Sequence, residues 1–261
     1  MPSRRRLLAA AAALLAWPVA LPAAADEVLV AVAANFAEVI EELQPLFAAE
    51  TGHTLIATTG STGKLYAQIV AGAPFEVLLS ADAATPARLE AEGAAIAGTR
   101  FTYAVGKLAL WSADATLIDG KDGPAVLDAG DFRHLAIANP DLAPYGIAAQ
   151  QSLDSLGLWA ALQDKLVMGQ NIGQTHSMVA TGAAELGFVA LSAVMSPRNP
   201  TEGSVWEVPQ ELFSPIRQDA ILLRPGEGNP AAAAFLEFLV SPRATAIIEA
   251  YGYALSGDDT A

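Results

Sequence analysis

From Glu27 onward the chain alternates short apolar runs with stretches whose apolar residues recur at helical spacing. Val28–Ala34 (VLVAVAA) is a near-continuous apolar run, the pattern of a parallel strand buried on both faces. Phe36, Val39, Ile40, Leu43 and Phe47 then fall at helical intervals, and Thr51-Gly52 ends that stretch. Leu55–Thr59 predicts a second strand, and Lys64–Val70 a second helix with Leu65, Ile69 and Val70 on one face. Val77–Ser80 predicts a third strand, and Thr85–Glu92 a third helix entered through Pro86. Three βα units in succession predict an α/β fold on a parallel sheet with right-handed crossovers.

The pattern changes at Phe101–Trp111 (FTYAVGKLALW). Eleven strand-like residues exceed the ~5–6 of an ordinary strand, which predicts one segment crossing between two lobes. A second α/β series follows. It has an apolar run at Leu135–Ala138, a helix over Ile147–Leu156 closed by Gly157, and a further stretch at Leu158–Leu166. A helix at Gln174–Ala180 and a strand at Leu186–Leu191 come next. Ile216–Leu223 (IRQDAILL) is another long strand, placed to return to the first lobe. Two helices, Pro230–Val240 and Arg243–Tyr251, close the series, the first with Asn229 as N-cap and Pro230 at its first helical position. The expectation is an α/β protein of two lobes, each a mostly parallel sheet flanked by helices, with two crossing strands as hinge. Residues 26–104 and 217–261 make lobe I, and residues 105–216 make lobe II.

The first 25 residues stand outside this scheme. Arg4, Arg5 and Arg6 form a basic head, Leu7–Trp17 is uninterruptedly apolar, and Ala23-Ala24-Ala25 ends the segment after Pro18 and Pro22. This is the layout of a secretory signal peptide cleaved near Ala25-Asp26. Eleven apolar residues before a proline fall short of the ~20 of a spanning helix. Ser3-Arg4-Arg5 fits either the general or the twin-arginine export route. The expected location is the periplasm.

Composition narrows the chemistry. With 53% hydrophobic and 16% charged residues among 261, the chain can bury a sizeable core. Cysteine is absent, which excludes disulfides, thiolate metal sites, thiol nucleophiles and a cysteine-linked lipid anchor. Formal net charge is −14, and loss of the three leader arginines makes it more negative still. Such a chain repels polyanions, so neither nucleic acid nor an anionic membrane is an expected partner.

Enzyme signatures are missing. There is no G-x-S-x-G elbow, no H-E-x-x-H and no dinucleotide fingerprint, and the three histidines, His53, His134 and His176, lie far apart. Thr58–Leu65 (TTGSTGKL) resembles a phosphate-binding loop but has threonine where the pattern demands its first glycine, and Leu65 replaces the magnesium-binding hydroxyl. What survives is a strand, then glycine and hydroxyl residues, then a helix N-terminus, an arrangement suited to an anion. Ala33-Ala34-Asn35 leads into the first helix in the same way. Asn35 with Glu38 also reads as a capping pair, and Ser61 or Thr62 as a simple helix cap. Adjacent parallel strands bring both loops to one carboxyl edge of the sheet, where ligands of open α/β sheets bind.

The residues now support a resemblance across the whole mature chain. It rests on AANF (Ala33–Phe36), GSTGKLYAQI (Gly60–Ile69), AGAPFEVLLSAD (Ala71–Asp82), ANPDLAPYG (Ala138–Gly146), GQNI (Gly169–Ile172), ELGFVALS (Glu185–Ser192) and YGYAL (Tyr251–Leu255). In these segments the chain resembles the periplasmic molybdate-binding proteins of ABC importers. The resemblance implies a venus-flytrap fold that closes on molybdate or tungstate and delivers it to an inner-membrane ABC permease, as a monomer. It implies oxyanion ligands at Asn35, Thr62 with Ser61 beside it, Tyr145 through ring or backbone, and Ile172 through its backbone N–H. Ala190 stands where the better-studied branch carries a tyrosine. Molybdenum would be held only as the oxyanion, with no direct metal ligand and no cofactor. The alternative reading is an exported hydrolase or transferase acting on an oxyanion in the same cleft.

Overall fold

The computed structural model describes residues 25–119 and 122–255. The signal-peptide reading falls on residues outside these, apart from Ala25. The first half of the chain runs β1 (Glu27–Ala33), α1 (Ala37–Thr51), β2 (Thr54–Gly60), α2 (Thr62–Val70), β3 (Val77–Leu79), α3 (Ala84–Ala91) and β4 (Phe101–Gly106). Next come β5 (Leu108–Ser112), α4 (Gly123–Ala129), β6 (Leu135–Ala138), α5 (Pro144–Ser155), α6 (Trp159–Leu162), β7 (Leu166–Gly169) and α7 (Ile172–Ala180). The rest is β8 (Leu186–Ala190), α8 (Leu191–Val194), β9 (Ser204–Glu207), β10 (Ile216–Leu222), α9 (Pro230–Leu239) and α10 (Pro242–Ala250).

These strands form two five-stranded sheets, ordered β2-β1-β3-β10-β4 and β7-β6-β8-β5-β9. In each, four strands run one way and one runs against them: β10 is antiparallel to both β3 and β4, and β5 to both β8 and β9. The two sheets therefore share one topology, a two-lobed α/β architecture with helices packed on both. β3 and the apolar run of β1 apart from the half-buried Leu29 are buried, as strands covered on both faces must be. Phe36, Val39, Ile40, Leu43 and Phe47 pack the face of α1 into the first core.

The long segment Phe101–Trp111 does pass between the sheets, but as two strands broken at Lys107. The second link is the stretch Val208–Pro215, with a 3-10 turn at Gln210–Leu212, and β10 itself lies wholly in the first sheet. The C-terminal segment returns to the first sheet, where Ala254 exchanges backbone hydrogen bonds with Val105 of β4 (2.7 and 3.0 Å). The helix read from Ile147 starts earlier, at Pro144, because proline suits the first helical position. The helix read from Gln174 starts at Ile172, capped by Asn171. Strand register sets the site. Ala33 pairs with Gly60 and Ala138 with Gly169, so the loops leaving β1 and β2 lie side by side, as do those leaving β6 and β7.

Candidate functional site

Each of the four loops opens a helix, and the first N–H groups of a helix have no acceptor within it. Ala34–Phe36 makes a 3-10 turn into α1, and no side chain caps either element. The capping pair read at Asn35 and Glu38 does not form. Asn35 instead donates both amide hydrogens inward, to Gln218 Oε1 at 2.8 Å and Tyr253 Oη at 2.9 Å. Its carbonyl accepts from Tyr253 Oη at 2.8 Å. Glu38 reaches across to Ser196 Oγ and Asn199 Nδ2. With its amide engaged, what Asn35 presents outward as a donor is its backbone N–H.

At the second loop Ser61 is the N-cap residue of α2, yet its side chain caps nothing. It is 2% exposed, and its Oγ has no hydrogen-bond partner among the described residues. A buried hydroxyl left unpaired costs ~1–3 kcal/mol, so an orphan of this kind marks a place for a ligand. Thr62 is equally buried, but its Oγ1 accepts the Ala81 N–H at 3.1 Å. The cap reading fails for both hydroxyls.

The third loop is braced by Asn139, whose carbonyl accepts the N–H groups of Leu142 and Ala143 and whose Oδ1 accepts that of Asp141. It leads into α5 through Ala143, Pro144 and Tyr145. The Tyr145 ring is buried, and its hydroxyl accepts Gln218 Nε2 at 3.2 Å. That turns the hydroxyl toward the interior and leaves the backbone N–H, in the first turn of α5, facing outward. In the fourth loop Asn171 Oδ1 caps α7 through the Gln174 N–H at 2.9 Å, and Ile172 is the first helical residue.

These loops meet around a small, partly open cavity between the lobes, and Asn35, Ser61, Thr62, Tyr145 and Ile172 all line it. No charged side chain contributes to its wall. Behind it lies a polar network that sequence reasoning missed. Gln218, fully buried in β10, joins Asn35 of lobe I to Tyr145 of lobe II and also accepts from Tyr103 Oη at 3.1 Å. A register shift in β10 between Gln218 and Asp219 accompanies the burial of both consecutive side chains. Asp219 is met by Arg100 at 2.6 Å and Thr102 Oγ1 at 2.7 Å. Burial raises the Tyr103 and Tyr145 hydroxyls well above the ordinary tyrosine value and pushes Tyr253 up to about 12, so all three stay protonated.

A second cavity adjoins the first, sharing Ala34, Asn35 and Ile172, and includes Ala190 and His176. The His176 ring stacks on Trp111 at 4.8 Å, with its Nε2 unpartnered among the described residues. Desolvation lowers its pKa, with Glu38 opposing, so the ring is neutral at neutral pH. His53 accepts the Asp26 N–H and packs near Phe47, and His134 sits beside Glu185, so neither reaches the site. Among the described residues no cluster of His, Asp and Glu is arranged to hold a metal ion.

The family model for bacterial extracellular solute-binding proteins matches residues 28–254. The molybdate-binding protein ModA of Azotobacter vinelandii is 54% identical over 93% of this chain and 96% of its own. ModA of Rhodobacter capsulatus is 51% identical over 94% of each. The solved structure of the Azotobacter vinelandii periplasmic molybdate-binding protein superposes with a TM-score of 0.84 at 43% identity, covering 88% of this chain and 99% of that one. Two lobes of matching topology, an uncharged interlobe cavity and these full-length likenesses agree: the chain belongs to the bacterial extracellular solute-binding proteins, alongside the ModA proteins, and is a binding protein of that family rather than an enzyme.

Proposed function

We propose that this protein captures molybdate, and tungstate with it, between lobe I (residues 26–104 and 217–261) and lobe II (residues 105–216). It works as a monomer in the periplasm, after its leader is cleaved near Ala25-Asp26, and hands the anion to an ABC permease of the inner membrane. The observation that carries this reading is the cavity itself, where helix N-termini from both lobes meet with neutral donors and no charged side chain. Molybdate is a dianion with no proton at neutral pH, so it calls for donors alone. Helix N-termini and uncharged N–H and O–H groups provide them without a buried cation. Phosphate, which retains a proton, calls for an acceptor carboxylate as well, and the cavity wall holds none. The donors proposed are the backbone N–H groups of Asn35, Tyr145 and Ile172 with the hydroxyls of Ser61 and Thr62.

Isothermal titration of protein lacking residues 1–25 against molybdate, tungstate, sulfate and phosphate tests the reading. Molybdate and tungstate are expected to bind with phosphate at least about 100-fold weaker, which is about 2.8 kcal/mol of discrimination. Phosphate binding as tight as molybdate, or no heat with molybdate, overturns it.

Affinity for molybdate is expected to be nearly flat from about pH 6 to 8.5. Only histidine ordinarily titrates there, and burial keeps His176 below its usual value. The same shift acts on stability. The contribution of neutral His176 is fully present above the unfolded value near 6.5 and is lost as pH falls through the lower folded value. Titrations of wild type and His176→Gln across this range check the point. A tenfold fall in wild-type affinity that the variant lacks would mean the site uses an imidazolium.

A further inference from the structure

The lobes also touch directly, backbone to backbone, at the rim of the cavity. The Gly63 N–H, in the first turn of α2, donates to the Leu142 carbonyl of lobe II at 3.0 Å. That N–H is one of the helix-opening donors with no acceptor in its own helix, so the opposite lobe satisfies it. The carbonyl is held in place by the Asn139 turn, which is itself tied to β7 by the Asn139 N–H on Gly169 O at 2.8 Å. Gly63 does not occupy a left-handed conformation. The reason for glycine is approach: a Cβ there would stand 3.1 Å from Leu142 O and 3.3 Å from Leu142 Cα, closer than ordinary contact.

We propose that Gly63 and the Leu142 carbonyl form a latch that holds the lobes closed over the ligand, with the absent side chain at residue 63 setting how near they come. The proposal rests on the reading of the cleft as one that closes on an oxyanion. Gly63 touches no ligand in this scheme and is a positioning residue. Its N–H has water as an alternative acceptor whenever the lobes part, so the contact favours the closed form without penalising the open one.

Alanine separates the latch from a merely structural role, because the two move in opposite directions. Alanine is the better helix former, so Gly63→Ala is expected to leave the melting temperature of ligand-free protein unchanged or raised. The methyl group pushes the lobes apart and stretches the hydrogen bond, so molybdate is expected to dissociate about three- to tenfold faster. Stopped-flow dissociation and calorimetric melting measure these. An unchanged dissociation rate overturns the latch, and so does a fall in ligand-free melting temperature that accompanies the loss of affinity.

The natural chain has no cysteine, so Gln68→Cys and Asp154→Cys carry paired spin labels on an otherwise silent background. The closed population, read from the label distances, is expected to shrink in Gly63→Ala, and identical distance distributions overturn the latch. Failure of the wild type to bind molybdate overturns the proposed function instead, and the label distances still judge the latch.

Discussion

Ser61→Ala is expected to weaken molybdate binding about 10- to 150-fold while leaving the ligand-free protein as stable as the wild type or more so. A hydrogen bond to a charged group is worth about 1.5–3 kcal/mol, and each 1.4 kcal/mol is tenfold in affinity. The unusual half of this expectation is the stability. Ser61 Oγ is buried and has no partner among the described residues, so its removal breaks no internal hydrogen bond and relieves a desolvated hydroxyl. Its neighbour provides the control. Thr62 Oγ1 accepts the Ala81 N–H, so Thr62→Ala leaves that donor unpaired and should lower stability by about 1–3 kcal/mol. Calorimetric melting with titration of both variants decides the assignment. If Ser61→Ala binds as the wild type does, the hydroxyl serves something other than the anion.

The first sheet and its loops were legible because they are built from strong local signals. β1 is an unbroken apolar run, α1 carries its buried face at regular spacing, and Gly60-Ser61-Thr62-Gly63 can hardly be anything but a strand-to-helix turn. The second sheet was harder. β7 and β9 have four residues each, and Met168 and Val205 within them are about half exposed, so neither offers a period to read. Tyr145 and Ile172 entered through family likeness alone. Their own residues announce only a proline-started helix and a capped one. The network behind the cavity was the largest omission. Gln218-Asp219 inside the apolar strand IRQDAILL was a visible anomaly, two polar residues where alternation allows one to face solvent. Its meaning depends on partners 183 and 73 residues away, Asn35 and Tyr145, and a single sequence does not pair residues over such distances.

That network carries the other large effect. Gln218→Leu is expected to cost about 3 kcal/mol of stability, some 6–12 °C in melting temperature for a protein of this size, and to weaken molybdate binding at least about tenfold. Gln218 is fully buried and satisfies three groups at once: the Asn35 amide, the Tyr103 hydroxyl and the Tyr145 hydroxyl. Leucine fills the volume but removes three hydrogen bonds. Tyr103 keeps the Ser80 carbonyl and Tyr145 keeps Tyr253. The Asn35 amide hydrogen is left without an acceptor, which alone costs about 1–3 kcal/mol before neighbours adjust. The adjustment is limited for Asn35, whose second amide hydrogen and carbonyl already bond Tyr253. Affinity falls as well because Asn35 and Tyr145 belong to opposite lobes, and Gln218 bonds both, so its loss loosens one relative to the other. A double-mutant cycle isolates this coupling. Tyr145→Phe removes the hydroxyl that accepts Gln218 Nε2 and keeps the backbone N–H proposed to meet the anion. If Gln218 acts through that hydroxyl, the double variant loses less affinity than the two single losses combined. Strict additivity in affinity, with the stability loss intact, would reduce Gln218 to a packing residue of the hinge.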